Sequence, residues 1–142
     1  MALFHKLRRL SRNERLLFVE AWKIVALTRL MLWVFPLEKV RKKISRRKTF
    51  ARLQPLESTT WAVCAASHRI PRATCLVQAI ALQTLLQEQG ISTYLVIGVT
   101  MGQEDNFQSH AWVEHEGRIL IGASGSGDFQ QVLRLESQTK AL

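Results

Sequence analysis

Apolar residues recur every three or four positions between Thr74 and Gly90, the pattern of a helix with a buried face. Polar residues, Gln83 among them, lie between these positions. Thr74 can cap the start of the helix and Gly90 can end it. The pattern therefore predicts a helix whose first turn contains Cys75. The apolar positions are Leu76, Ala79, Ile80, Leu82, Leu85 and Leu86.

A longer apolar stretch covers residues 14–35 and predicts a helix of about six turns that ends before Pro36. Its charged residues Glu20, Lys23 and Arg29 are more than a membrane-spanning helix usually contains. We expect this helix to pack against the rest of the fold or to lie on a membrane or partner surface. Packing is preferred to the surface helix, and both are preferred to a transmembrane span.

Residues 56–68 predict a shorter helix with many small side chains. Cys64 lies in the middle of this helix among valine and alanine residues. A thiol in such surroundings usually behaves as a small, unreactive apolar group. We therefore expect no chemical role for Cys64.

Three strands are predicted in the C-terminal half, at residues 92–99, 107–115 and 118–121, with a compact turn at Glu116 and Gly117. Alternation along the second strand places His110 and Trp112 on one face. Helices followed by an antiparallel meander indicate an α+β domain, in which the cysteine helix packs on a small sheet.

Positive charge is concentrated in the N-terminal third. Residues 1–52 contain fifteen Lys and Arg against three acids, which gives +12, and residues 53–142 contain five against eight, which gives −3; the sum is +9. We divide the chain into a basic, apolar helical region, residues 1–55, and one compact core, residues 56–142. The basic run at residues 39–49 is interpreted as a solvated helix face, with an acidic peptide as the next choice. No nucleic-acid partner is expected, because no interleaved aromatics or groove-reading motif accompany the run.

The two cysteines, Cys64 and Cys75, have no partners at metal-ligand spacing. Neither a metal, nor another cofactor, nor a disulfide framework is therefore expected. The N-terminus also lacks the features of a secretory signal. These observations indicate the cytoplasm, with contact to a membrane surface through residues 14–35 left open.

A cysteine that opens a helix and a histidine in a strand can serve as nucleophile and base. Unpaired N–H groups and the positive end of the helix dipole stabilise an anion at Cys75, which favours the thiolate. If the His110 imidazole lay within hydrogen-bond reach, it would take the thiol proton and prepare the sulfur for acyl transfer. The spacing alone leaves open that the two residues are unrelated.

The segments PRATCLVQAIALQTLLQEQGISTYLVIGV and FQSHAWVEHEGRILIG resemble the lasso-peptide leader peptidases, which are transglutaminase-like cysteine proteases. The similarity extends from about Trp61 to Gly122, and the N-terminal third resembles the helical region that precedes the catalytic core. The resemblance implies a transglutaminase-like, papain-like core that removes the leader from a ribosomally synthesised precursor peptide. Cys75 would be the nucleophile, with its backbone N–H stabilising the oxyanion, and His110 would be the base.

The same resemblance implies three partners: the precursor peptide, a separate leader-recognition protein, and an ATP-dependent cyclase that closes the macrolactam on the freed core N-terminus. A separate recognition protein is expected because residues 1–55 lack the strands of a winged-helix leader binder. A non-catalytic scaffold and an acyltransferase of the same maturation complex are the alternatives, since an amine can resolve a thioester as water does.

The chain departs from the family at the third member of its Cys-His-Asp triad. A two-residue turn pairs His115 with Arg118, and counting back places His110 opposite Ala123, beside Gly122. No carboxylate stands at that place. The residue that orients the histidine is therefore not evident from the pattern.

Several groups remain as substitutes for the missing acid. Asp128 is a weak choice, and Gln108 or a backbone carbonyl could orient the ring instead. Glu114 shares the face of His110 but lies ~13 Å along the strand at ~3.3 Å per residue, which is too far. Trp112 either lines a substrate groove or packs in the core, and packing is preferred.

Overall fold

The computed structural model describes residues 11–45, 56–70, 74–101, 107–122 and 129–137. Within these ranges, four helices precede a four-stranded antiparallel sheet with the strand order β3-β2-β1-β4, which confirms the predicted α+β class. The elements are α1 (Arg12–Val34), α2 (Leu37–Ser45), α3 (Leu56–Ser67), α4 (Cys75–Glu88), β1 (Tyr94–Met101), β2 (Phe107–His115), β3 (Arg118–Ile121) and β4 (Gln130–Glu136).

Helix α1 begins two residues earlier than predicted because Ser11 caps it. The Ser11 hydroxyl accepts a hydrogen bond from the Glu14 N–H, and the Glu14 carboxylate accepts one from the Ser11 N–H. This reciprocal capping box satisfies two backbone donors at the helix start. The helix ends at Val34, just before Pro36, as predicted.

The two sides of α1 differ in their surroundings. One side is buried against α3 and α4, and the opposite side is exposed and largely apolar. The preferred prediction, that this helix packs against the fold, is thus confirmed for the buried side. None of the described helices is long and apolar enough to cross a membrane. The exposed apolar residues of α1 are Leu16, Val19, Trp22, Leu30, Trp33 and Val34.

Helix α4 is the centre of the fold. Thr74 caps it as predicted, its hydroxyl accepting a hydrogen bond from the Val77 N–H at 3.4 Å. The helix packs against all three other helices and against β1 and β2, and residues 79–86 are all buried. Gln83, which interrupts the apolar pattern, is only 4 % exposed. The helix is therefore enclosed on all sides over these turns.

The sheet contains one strand more than predicted. Strand β1 pairs with β2 on one side and with β4 on the other. It begins at Tyr94, two residues later than expected, whereas β2 and β3 have the predicted bounds. The predicted meander β1-β2-β3 is confirmed, and β4 adds an edge strand beside β1.

The hairpin between β2 and β3 contains a β-bulge. The residues that flank the turn pair as predicted, but Val113 pairs with Ile121, so that Leu120 is the extra residue. The bulge shifts the pairing of Ile121 by one residue. The regular register on which the count relied is therefore wrong at Val113, and the predicted partner of His110, Ala123, lies outside the described residues.

A buried polar junction joins the helices to the sheet. The side-chain amide of Gln83 donates to the carbonyl oxygens of Thr93 at 3.3 Å and Leu135 at 3.1 Å. Its oxygen accepts from the Arg41 guanidinium at 3.2 Å, which also donates to the Glu136 carbonyl at 2.9 Å. These bonds connect α2 and α4 with the start of β1 and the end of β4. Because buried polar groups require partners, the junction sets the position of α4 along the sheet.

The N-terminal helices share the core of the rest of the chain. Buried residues of α1 and α2 belong to the same hydrophobic cluster as those of α3, α4 and the sheet. The boundary predicted between residues 55 and 56 adjoins residues 46–55, which lie outside the described ranges. The division into residues 1–55 and 56–142 stays a prediction.

The junction gives the first testable prediction. Replacing Gln83 with Leu should lower the free energy of unfolding by about 2–3 kcal/mol, since two carbonyls and a buried guanidinium lose a partner. Urea unfolding measures the change. The exposed Gln131 of β4 provides the control, because Gln131→Leu should change stability by less than about 0.5 kcal/mol. If the two substitutions lowered the free energy of unfolding equally, the hydrogen bonds of the junction would not contribute to stability as proposed.

Candidate active site

Cys75 is the first residue of α4 and is half-buried. The cap at Thr74 uses the N–H of Val77, and the side chain of Cys75 packs against the edge of the hydrophobic core. The backbone N–H groups of the first helical turn point away from the helix and attract negative charge. The sulfur is therefore partly accessible at a place that suits an anion.

His110 lies in β2, half-buried, with its ring held by a backbone carbonyl. Its Nε2 atom is 2.6 Å from the carbonyl oxygen of Gly122. A carbonyl oxygen can only accept a hydrogen bond, so Nε2 carries the proton in the neutral ring. The other ring nitrogen, Nδ1, is then unprotonated and is able to act as a base.

Two aromatic rings flank the imidazole. The centroid of the Trp112 ring lies 5.9 Å from that of His110, and the centroid of the Phe129 ring lies 5.3 Å away. Gly98, which pairs with His110 across β1 and β2, makes room for these rings. A Cβ at Gly98 would lie 2.8 Å from Cη2 of Trp112 and 2.8 Å from Cβ of Phe129. The aromatic packing around His110 therefore requires glycine at this position.

Trp112 is in turn held by Glu114. The indole Nε1–H donates to one carboxylate oxygen of Glu114 at 3.0 Å, and Arg134 donates to the other at 2.7 Å. The hydrogen bond from Trp112, together with the contact to Arg134, lowers the pKa of Glu114, although partial burial opposes this. Trp112 is 5 % exposed, which agrees with the preferred prediction that it packs in the interior.

The Gln83 junction gives the heights of Cys75 and His110 along their own elements. The Gln83 junction ties the middle of α4 to the start of β1. From there, Cys75 lies ~12 Å back along the helix, and Gly98, the partner of His110, lies ~17 Å along the strand. Within the described residues, no hydrogen bond joins Cys75 to His110. The neighbours of His110 on β2, Ala111 and Val113, belong to the core cluster that includes α4, so His110 alternates away from it.

The described hydrogen-bond partner of the ring is the Gly122 carbonyl, and a backbone carbonyl was one of the three kinds of substitute considered from the sequence. Gln108 is exposed and makes no described contact with the ring. Asp128 lies outside the described residues. Gly122 has φ +82, a conformation that favours glycine, and it follows directly after the last residue of β3. A neutral acceptor thus contacts the histidine at the place where the resemblance implies a carboxylate.

Cys64 has a different environment from Cys75. It lies inside α3, and burial raises the pKa of the Cys64 thiol above its ordinary value. A raised pKa disfavours the thiolate, in line with the prediction that this residue is unreactive.

Gly98 and Phe129 are parts of the site that the sequence analysis missed. A glycine inside an otherwise apolar strand is a sign of close approach, and it could have pointed to Gly98. Nothing in the local pattern distinguishes Phe129, because it reaches His110 only through the unpredicted pairing of β4 with β1.

The fold and these side chains define the class of the protein: an α+β chain in which a helix opened by cysteine packs on an antiparallel sheet carrying a histidine. The family model described as the transglutaminase-like superfamily matches residues 21–134. The chain therefore belongs to the transglutaminase-like superfamily, in which cysteine protease and acyltransferase activities are common. No curated protein and no solved structure is significantly similar to it.

The geometry around Gly122 predicts a specific effect of adding a methyl group. In Gly122→Ala, the new Cβ would lie 2.7 Å from the Ala111 carbonyl oxygen in a backbone conformation already unfavourable for alanine. We expect the residue 122 carbonyl, which accepts from His110, to move, and the free energy of unfolding to fall by about 2–3 kcal/mol. Urea unfolding and the NMR signals of the His110 ring measure the two effects.

Gly90 is a matched control for this substitution. It has a similar φ of +77, but a Cβ there would meet nothing within 4 Å. Gly90→Ala should cost only about 1–2 kcal/mol and leave the His110 ring signals unchanged. If both variants altered those signals equally, the proposed contact with Gly122 would not orient the ring.

The lowered pKa of Glu114 predicts how stability depends on pH. A depressed carboxyl pKa contributes stability above the ordinary value for glutamate, about 4.3, and this contribution disappears as the pH falls through the folded-state value. Wild type should therefore be more stable than Glu114→Gln at pH 7, and the difference should shrink below about pH 4.3. Thermal unfolding between pH 7 and pH 3 tests this. A difference that stays constant over the range would contradict it.

Proposed function

We propose that this protein is a cysteine peptidase that removes the leader from a lasso-peptide precursor. The coarse class rests on its membership of the transglutaminase-like superfamily. The observation that carries the chemistry is the hydrogen bond from His110 Nε2 to the Gly122 carbonyl, because it leaves Nδ1 available as a base. The choice of substrate rests on the resemblance of the segments around Cys75 and His110 to the lasso leader peptidases.

In the proposed reaction, the sulfur of Cys75 attacks the carbonyl carbon of the scissile peptide bond while Nδ1 of His110 takes the thiol proton. The N–H groups at the start of α4 stabilise the oxyanion. The histidine then gives its proton to the departing amine of the core peptide, and the carbon–nitrogen bond breaks. Water, activated by the same imidazole, hydrolyses the thioester and releases the leader.

This reaction requires that the two side chains meet. Catalytic hydrogen bonds are often long or absent in the free enzyme and tighten when the substrate binds. Because His110 lies on the face of β2 that points away from the α4 core, we propose that binding of the precursor at the start of α4 is accompanied by a rearrangement of β2 that turns His110 towards Cys75. A neutral carbonyl orients His110 but stabilises the imidazolium less than a carboxylate would, so low activity of the isolated chain fits the same proposal.

The proposed partners are the precursor peptide, a separate leader-recognition protein and an ATP-dependent cyclase. The exposed apolar side of α1 offers a surface for contact with one of these proteins or with a membrane. Trp22 is 45 % and Trp33 is 76 % exposed there, and Arg29 lies 5.6 Å from the Trp33 ring centroid. We propose a cytoplasmic enzyme, with peripheral membrane contact through this side as the less preferred use.

An acyltransferase is the second candidate, because it is common in the superfamily and differs only in the group that resolves the thioester. A non-catalytic scaffold is the third. The observation that supports the scaffold is that no hydrogen bond joins Cys75 to His110 among the described residues. The products of the reaction distinguish all three.

The test is to incubate a lasso precursor and its leader-recognition protein with wild type or with Cys75→Ala, and to determine the product masses. A peptidase gives free leader and linear core, and the variant should lower the rate by at least about 10³-fold. Cys64→Ala is the control and should retain wild-type cleavage. An adduct of the peptide with an added amine would indicate an acyltransferase. Intact precursor that is bound by wild type and by Cys75→Ala alike would indicate a scaffold.

A further inference from the structure

We propose that Glu114 is a positioning residue for His110, acting through the indole of Trp112. The hydrogen bond between Glu114 and Trp112 would hold the indole against the imidazole, and the imidazole would thereby stay bonded to the Gly122 carbonyl. The value of this arrangement for catalysis rests on the proposed function. The arrangement itself is independent of it.

The indole contacts both groups in a way that suits this role. Its Nε1 edge is bonded to Glu114 at 3.0 Å, whereas its Cη2 and Cζ3 atoms lie closest to the position of a Cβ on Gly98, the residue paired with His110. The ring therefore runs along the face of β2 from Glu114 towards His110. A bond at one edge of the ring restricts rotation of the whole side chain, because the plane of an indole moves as one unit.

The carboxylate is itself immobilised. Its second oxygen accepts from Arg134 of β4 at 2.7 Å, and the Arg134 guanidinium lies 4.0 Å from the centroid of the Tyr94 ring. Three neighbouring strands, β2, β1 and β4, thus contribute to holding Glu114. A bond to an ionised acceptor is also about twice as strong as one between neutral groups.

The imidazole has little other support. Its described polar contact is the one with Gly122, and its ring contacts are with Trp112 and Phe129. A single hydrogen bond to a neutral carbonyl leaves rotation about that bond unrestricted, and the flanking rings must supply the restriction. Of these two rings, Trp112 is the one whose position is restricted by a described hydrogen bond, the bond from its Nε1–H to Glu114.

The experiment reads the His110 ring by ¹⁵N NMR in the intact chain. In wild type, Nε2 should give the signal of a protonated nitrogen and Nδ1 that of an unprotonated one. In Glu114→Ala, the indole is released, so we expect the two signals to move towards the averaged values of free histidine. His115, whose Nδ1 bonds to the Ser92 carbonyl at 2.8 Å, serves as an internal reference that should not change.

Three further variants separate positioning from a general loss of structure. Glu114→Gln keeps an oxygen that accepts from the indole and should retain the wild-type His110 signals. Arg134→Met removes the ion pair and the contact with the Tyr94 ring but leaves the bond from Trp112 to Glu114, so it should shift the His110 signals less than Glu114→Ala does. Trp112→Phe removes the N–H donor and should reproduce the effect of Glu114→Ala, which covers the case in which Glu114→Ala does not fold. Far-UV circular dichroism verifies the fold of each protein.

The proposal is overturned if folded Glu114→Ala keeps the wild-type His110 signals, or if Glu114→Gln or Arg134→Met disturbs them as strongly as Glu114→Ala does. The measurement needs no substrate and can be repeated on Cys75→Ala. If the peptidase hypothesis fails, the His110 signals of the variants should still follow the pattern predicted here. If this inference fails, the His110 signals depart from that pattern, but the products that wild type forms stay the same.

Discussion

The position of α4 depends on one buried amide. Helix α4 is enclosed over residues 79–86, where apolar packing distinguishes one height along the sheet from another less sharply than a buried hydrogen bond does. Gln83 supplies the distinction, because its amide must find partners in the interior and finds them at Thr93, Leu135 and Arg41. Sliding the helix by one turn would break all of these bonds at once. The position of Cys75 along the strand direction of the sheet follows from that constraint.

Arg41 adds a second requirement at the same place. Its guanidinium is buried, and burial lowers the pKa of Arg41 although Glu38, 3.9 Å away, acts in the opposite direction. A buried cation is stable only where acceptors surround it, and here they are Gln83 and the carbonyl of Glu136. The basic character of residues 37–45 is therefore not uniform. One of its cations serves the core, whereas Lys39 and Lys43 remain exposed, as expected of a solvated face.

Local patterns predicted what depends on local physics. The spacing of leucines and the Thr74 cap were sufficient for α4, and alternation with a turn was sufficient for β2 and β3. The bulge at Leu120 and the pairing of β4 with β1 could not be predicted, because both depend on contacts between distant segments. The surroundings of His110 depend on these same two features, so the sequence left a backbone carbonyl as one of several possible partners of this ring and did not identify Gly122.

The replacement of an acid by a carbonyl changes what the histidine can do. A carboxylate orients an imidazole and also stabilises the imidazolium with its full negative charge. The Gly122 carbonyl orients the ring too, but it stabilises the imidazolium only through its dipole, which is a weaker effect. A pair built this way gains little from forming thiolate and imidazolium before substrate arrives. The energy for proton transfer must then come from substrate binding, which is consistent with Cys75 and His110 being unbonded in the free chain. Under the proposed function, specificity and activity would then arise in the same step, since only a substrate that brings His110 to Cys75 would create the nucleophile.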